Sequence, residues 1–389
     1  MTDAPAFIRR ARRPALLVLE DGRSFRGDAF GADGEVFGEA VFSTGMTGYQ
    51  ETLTDPSFHR QVVVMTAPHI GNTGVNDDDP ESDRIWVAGY VVRDPARVTS
   101  NWRATRSLDA ELRAQGVVGI SGVDTRAITR HLRDRGAMRC LVTTEPGEVD
   151  GLVARVLESP DMTGADLARE VTTTAPYVVE SAGERRFRVA ALDLGMKRST
   201  PRYLSEHGCE VHVLPATATA AELLALEPDG VFFSNGPGDP AATAYAVEAM
   251  RGVLGIRPVF GICLGHQMLA RALGMQTYKL RFGHRGVNQP VQDLLTGRVA
   301  ITSHNHGFAV VAPAGDETAG GHGGMSTGEF GRAVVSHVDL NDGVVEGLRC
   351  LDIAAFSVQY HPESAPGPHD ATGLFDSFAQ LMSGQVISA

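Results

Sequence analysis

The chain has 389 residues, more than one domain of ordinary size holds, so two are expected. Hydrophobic residues make up 43%, which suits buried cores and excludes general disorder. Lys and Arg number 35 against 47 Asp and Glu, and the resulting net charge of −12 disfavours a general nucleic-acid or anionic-membrane surface.

Cys140, Cys209, Cys263 and Cys350 are widely spaced and form no CxxC, the usage of a reducing compartment rather than of a disulfide scaffold or a cysteine–zinc knot. No apolar run reaches the roughly eighteen residues of a membrane helix. Arg9, Arg10, Arg12 and Arg13 ahead of Ala15–Leu19 imitate a signal peptide. The apolar stretch stops at Glu20-Asp21, however, and no small-residue cleavage site follows. The expected location is the cytoplasm, with a basic tail leading into a first strand, and neither a nucleic-acid nor a membrane partner is expected.

From Pro14 to Thr144 short strands alternate with glycine turns. Ala15–Leu19, Glu39–Ser43, Gln61–Thr66, Trp86–Val92 and Met138–Thr143 are β-rich, several of them bounded by Gly, Asp or Pro. Asp124–Arg135 carries Ala127, Ile128 and Leu132 on one face and charges on the other, which predicts a helix. Residues 145–170 suit one or two further helices. Linker composition at Thr172–Pro176 and Ser181–Glu184 puts the domain boundary near 184, giving a mixed β/α domain over 1–184 and a second domain over 185–389.

The second half changes rhythm. Phe187–Leu192, Glu210–Leu214, Gly230–Ser234 and Val259–Cys263 read as strands, and Pro201–His207, Ala220–Leu226, Ala242–Leu254 and Leu264–Leu273 read as the helices between them. This alternation predicts an α/β fold, an open, mostly parallel sheet with helices on both faces. Its active site is expected beyond the carboxyl ends of the strands. Gly320-Gly321-His322-Gly323-Gly324 reads as a flexible loop with no assignable role.

The sharpest chemical signal is Pro258-Val-Phe-Gly261-Ile-Cys263-Leu264-Gly265-His266-Gln267, an apolar strand running through Gly-x-Cys-x-Gly into a helix. The glycines let the chain turn abruptly, which is the logic of a nucleophile elbow with sulfur in place of oxygen. The positive end of the helix favours thiolate there. A base and a group to orient it are available in Tyr360-His361-Pro362-Glu363, where a strand ends and the turn at Pro362 can bring Glu363 back beside the imidazole. Taken alone, that segment would pass for a surface turn.

Ser234-Asn235-Gly236-Pro237-Gly238-Asp239 follows an apolar strand and can present backbone N–H groups to an anion or a developing oxyanion. It has neither the ending of a P-loop nor the spacing of a dinucleotide site, so no nucleotide cofactor is implied. In Ser303-His304-Asn305-His306-Gly307-Phe308, the two histidines would face one side of a strand and could hold a metal. The sequence places no third ligand nearby.

The Cys263 motif, with His361-Pro362-Glu363 downstream, resembles the class I (triad) glutamine amidotransferases. Phe42–Glu51, Leu53–Ser57, Pro68–Asn72, Gly119–Arg126, Phe282–Gly286 and Pro366–Asp370 resemble the small subunit of carbamoyl-phosphate synthase, the first four of them in its N-terminal domain. The likeness covers nearly all of the chain past residue 14. It departs only in the Arg-rich extension before Pro14 and the glycine-rich stretch around 320–328.

The resemblance implies that Cys263 attacks the carboxamide of L-glutamine, that His361 serves as base and then acid, and that Glu363 orients it. Leu264 with the Gly236/Gly238 turn would form the oxyanion hole. Ser57, Gln267, Asn305, Gly307 and Phe308 would hold glutamine, which turns the His-x-His strand from metal to substrate and leaves no metal expected. Without the resemblance, Ser57 reads equally well as a turn serine after Asp55-Pro56. No cofactor is implied in this chain. ATP and Mg²⁺ would belong to a large partner subunit, in a heterodimer or a higher oligomer, making carbamoyl phosphate for pyrimidine and arginine synthesis. Two other readings stand beside this one: an amidotransferase serving a different synthase, which the N-terminal motifs oppose, and an inactive interaction subunit, which the retained Cys263, His361 and Glu363 oppose.

Overall fold

In the computed structural model, residues 13–145, 147–313 and 325–385 are described. The glycine run 320–324 and Arg9, Arg10 and Arg12 lie outside them.

In the N-terminal half, seven strands close into a barrel. Around it run Pro14–Leu19, Ser24–Gly31, Val118–Ser121, Gly89–Val91, Gln61–Met65, Glu35–Ser43 and Met138–Thr143, which pairs back to the first. Inward residues alternate along these strands, as a pleated sheet requires. Leu17, Ala40, Val62, Val64, Val91, Ile120 and Val142 meet in one cluster, together with Ile128 and Leu132 of the helix Thr125–Arg135. That helix starts where Asp124 accepts from the Ala127 amide as its N-cap. Ser24–Gly31 and Val118–Ser121 carry interior glycines and mixed polarity, and periodicity alone did not reveal them.

The C-terminal half is built on an eleven-stranded sheet. Its five parallel strands are, in spatial order, Cys209–Pro215, Phe187–Asp193, Gly230–Phe233, Val259–Ile262 and Ala355–Val358. Odd and even residues go to opposite faces. Val231 and Phe233 pack with the helices Ala244–Val253 and Leu264–Ala272, whereas Phe232, Phe260 and Ile262 pack with Leu204, Phe375 and Phe378. Helices therefore cover both faces, as expected. Beyond Ala355–Val358 the sheet continues antiparallel, through Val345–Cys350 and the long hairpin of Thr277–Asp293 with Val299–Val310. At the other edge Tyr177–Val179, ahead of the expected boundary at 184, pairs with Cys209–Pro215.

The long hairpin leans on the barrel. Lys279 pairs with Glu39 at 2.7 Å, and the amides of Ala137 and Thr44 donate to the Arg281 and Arg285 carbonyls. Both halves thereby reach the carboxyl ends of the parallel strands.

Candidate active site

Cys263 sits at the junction of the strand Val259–Ile262 and the helix Leu264–Ala272, with φ 54° and ψ −102°. A non-glycine residue in that region stores strain, and such strain gathers at functional positions. The flanking glycines are required by close packing: a Cβ on Gly261 would lie 2.6 Å from the Gly265 carbonyl, and one on Gly265 would press into the Phe233 carbonyl. The Cys263 thiol is buried and donates to the Asn305 carbonyl at 3.7 Å. The amide of Leu264, the first residue of the helix, has no partner within the helix and points where a helix end attracts negative charge.

His361 follows the strand Ala355–Val358, and its amide donates to the Ser303 carbonyl at 2.8 Å. Its Nδ1 pairs with Glu363 Oε1 at 2.7 Å, and its Nε2 has no hydrogen-bond partner. Burial works against the imidazolium, but Glu363 and the neighbouring Cys263 outweigh it and push the ring up to about 10. Burial also opposes the Glu363 carboxylate. Lys197 and then His361 more than compensate, bringing it down to about 2. Lys197 Nζ lies 3.2 Å from Glu363 Oε1 and donates to the Ser364 carbonyl at 2.6 Å. A strand-end thiol, an imidazole nitrogen without a hydrogen-bond partner and a carboxylate paired with a lysine can serve as a nucleophile, a base and an orienting anion.

A cleft of about 380 Å³ opens at Cys263. Ser57, Gly236, Gly238, Gln267, Asn305, Gly307 and Phe308 all line it, so the residues carried over for glutamine converge, except Leu264, which lies buried behind Cys263. Gln267 gives its two amide hydrogens to the Phe308 carbonyl and Gln359 Oε1, both at 2.9 Å, which leaves its carbonyl for a ligand. Ser57 is both a turn serine and a lining residue of the cleft. Its backbone amide is held by Asp55 in a short 3₁₀ turn, while its hydroxyl accepts from Asn235 at 2.9 Å and reaches the cleft. Asn305 donates to Asp55 at 2.9 Å, and Glu81 accepts from the Ser199 hydroxyl at 2.6 Å. These bonds stitch the barrel to the sheet across the site.

Sequence reasoning missed Lys197, Glu39, Gln61 and Arg285. Lys197 lies in the loop after the first parallel strand, and no motif spacing marks it. Arg285 lies inside the segment Phe282–Gly286 and could have been singled out there. Glu39 and Arg285 put one charge of each sign on the cleft wall. His266 is no substitute base: it is buried, holds Ser357 at 2.9 Å, and is brought down to about 3 by burial. The structure also supplies what the sequence lacked beside His304 and His306, since His284 and Glu346 come within reach of both.

Residues 17–142 match the family model of the carbamoyl-phosphate synthase small chain, CPSase domain, and residues 190–381 match that of the class-I glutamine amidotransferases. The carbamoyl phosphate synthase small chain of Streptomyces coelicolor is 65% identical over 377 residues, covering 96% of this chain and 97% of that one. Its counterpart in Mycobacterium tuberculosis is 58% identical over 379 residues, covering 95% and 99%. The one in Bifidobacterium longum is 55% identical over 384 residues, covering 95% and 94%. With identity of this degree over nearly its whole length, the chain belongs to the carbamoyl phosphate synthase small chain family.

Proposed function

We propose that this chain is the glutaminase subunit of glutamine-hydrolysing carbamoyl-phosphate synthase, with Cys263, His361 and Glu363 as its catalytic triad. The observation that carries the reading is the buried Cys263, which lines a cleft built from both halves of the chain and has His361, held by Glu363, beside it. A cleft wall with one carboxylate and one guanidinium also suits an amino-acid zwitterion.

In this reading the Cys263 thiol passes its proton to His361, and the sulfur attacks the carboxamide carbon of L-glutamine. Leu264 N–H and the Gly236/Gly238 turn stabilise the oxyanion. His361 returns the proton to the departing ammonia, leaving a γ-glutamyl thioester. Water, deprotonated by His361, then releases glutamate and restores the thiol. Glu363 holds the ring in the tautomer that leaves Nε2 facing the chemistry, and Lys197 holds Glu363 ionised. Ammonia passes to a large subunit that binds ATP and Mg²⁺ and makes carbamoyl phosphate from bicarbonate, for pyrimidine and arginine biosynthesis. The pair would work in the cytoplasm as a heterodimer or a higher oligomer. Among the described residues no helix is long and apolar enough to cross a membrane.

The decisive experiment is Cys263→Ser in the complex with the large subunit. Glutamine-dependent carbamoyl phosphate formation should vanish, while formation from added ammonia survives. Substantial glutamate release by the variant would overturn the assignment of the nucleophile.

A further inference from the structure

We propose that His284, His304, His306 and Glu346 form a four-ligand site for one divalent transition metal of the zinc class, separate from the catalytic triad. The sequence offers His304 and His306 as a pair that could hold a metal, without a third ligand, and the family resemblance turns them to substrate. The fold supplies the further ligands by pairing His284 directly across from His306 in the long hairpin and setting Glu346, on the neighbouring strand Val345–Cys350, against them.

The strongest argument is where the protons are. His284 Nε2 faces the Asp342 carboxylate at 2.8 Å, so that nitrogen must donate. His306 Nδ1 faces the Phe308 carbonyl at 2.9 Å and must donate as well. His304 Nε2 meets the Thr302 hydroxyl at 2.7 Å. That hydroxyl already spends its one hydrogen on the Gln289 carbonyl at 2.9 Å, so it can only accept from His304. In neutral rings the outer partners thus fix all three tautomers and leave lone pairs on His284 Nδ1, His304 Nδ1 and His306 Nε2.

Those lone pairs converge. His304 Nδ1 and His306 Nε2 are 3.2 Å apart, and Glu346 oxygens lie 3.6 Å from His284 Nδ1, 3.7 Å from His304 Nδ1 and 3.6 Å from His306 Nε2. Neither Glu346 oxygen has a hydrogen bond, nor does His284 Nδ1, although all are buried. Four acceptors gathered in a dry place repel one another unless a cation sits between them. The spacing fits: zinc–nitrogen bonds of about 2.0–2.1 Å in a tetrahedron separate the ligand atoms by about 3.3 Å. Three imidazoles, each with its far nitrogen held by a carboxylate, a hydroxyl or a carbonyl, make the outer shell that metal-bound histidines have. The all-nitrogen-and-carboxylate set and the closed surroundings suit zinc in a structural role.

Such a metal would pin the strand Val299–Val310 to both its neighbours. Asn305 and Gly307 alternate with the two histidines along that strand, so the metal would stiffen the backbone that lines the cleft at Cys263.

The test uses the full chain, alone and with its large subunit, stripped with a chelator and then equilibrated with Zn²⁺ or Co²⁺. Elemental analysis should find about one equivalent of tightly held metal, and the Co²⁺ form should show the strong visible absorption of a four-coordinate site. Stripping should lower the melting temperature, and Zn²⁺ should restore it. Glu346→Gln and His304→Gln, with folding checked by circular dichroism, should each weaken Zn²⁺ binding by at least about a hundredfold. Should either fail to fold, Asp342→Asn, which touches only the outer partner of His284, should still cost about ten- to a hundredfold. A folded, stripped wild-type chain that takes up neither metal, with a melting temperature indifferent to chelator, would mean that protons alone satisfy the cluster and would overturn the proposal. Variants that bind Zn²⁺ as tightly as wild type would overturn it equally.

Discussion

Two buried histidine–carboxylate clusters flank the strand Val299–Val310, and they solve one electrostatic problem differently. Around Glu363 the chain provides its own cation. Lys197 stands 3.2 Å away with its ammonium buried, and Glu363 and Glu81 keep it charged against the cost of burial. His361 can then give one nitrogen to Glu363 and keep the other free. Around Glu346, among the described residues, the ion-pair partners are three histidines and no lysine or arginine. A buried carboxylate is costly without a partner of opposite charge. One cluster therefore carries a permanent cation of its own, and the other has only its imidazoles, or the metal proposed above, to balance its carboxylate.

The largest effect that would break this contrast is on the catalytic side. His361→Asn, assayed by glutamate release in the assembled complex, should slow turnover by about two to four orders of magnitude, the usual loss when acid–base help is removed. Glu363→Gln should be milder, because its task is to hold the ring. Near-normal hydrolysis by His361→Asn would remove His361 from the mechanism and, with it, the distinction between the clusters.

Next in size is Lys197→Met, which keeps the volume and deletes the cation, making the Glu363 cluster resemble the Glu346 cluster. Stranding a buried carboxylate typically costs about 3–5 kcal/mol. Urea or guanidinium denaturation of the chain should show a loss of that order, with glutaminase activity falling as Glu363 loses its charge. A variant as stable as wild type would mean that Glu363 does not depend on Lys197, and the comparison would fail at its first step.

The same contrast explains what the sequence revealed. Cys263, His361 and Glu363 lie in short contiguous motifs whose spacing is itself the geometry, a strand-to-helix turn and a His-Pro-Glu turn, so local reading sufficed. The parallel strands and their helices were legible because each carries a period or an apolar run between turn residues. Lys197 and Glu346 were not legible: each acts only after distant strands have been laid side by side, and a single charged residue in a loop or strand carries no local signature. His304 and His306 were visible as a pair, but their third and fourth partners lie on two other strands, at His284 and Glu346. The barrel strands Ser24–Gly31 and Val118–Ser121 were missed for a related reason. Their interior glycines and mixed polarity blur the alternation, and Ser24–Gly31 stays largely half-exposed even in the closed barrel.

The smallest effect, and the one that separates the histidines by sign, lies in the dependence of stability on pH. His361 is raised from the ordinary 6.5 to about 10, facing Glu363 and Cys263, with Lys197 and His304 beyond. A group raised on folding contributes stability that is fully present below about pH 6.5 and is lost as pH climbs toward 10. The stability advantage of wild type over His361→Asn should therefore shrink between pH 7 and pH 10. His266, on the other flank of Cys263, is lowered to about 3 because burial disfavours its charged form. Its contribution is present above about pH 6.5 and is lost as pH falls, so wild type should lose ground to His266→Gln on the acid side instead. Denaturant midpoints of the three proteins between pH 5 and pH 10 measure both slopes. If the His361 gap were flat across the alkaline range, Glu363 would not be holding the ring in its charged form in the folded chain.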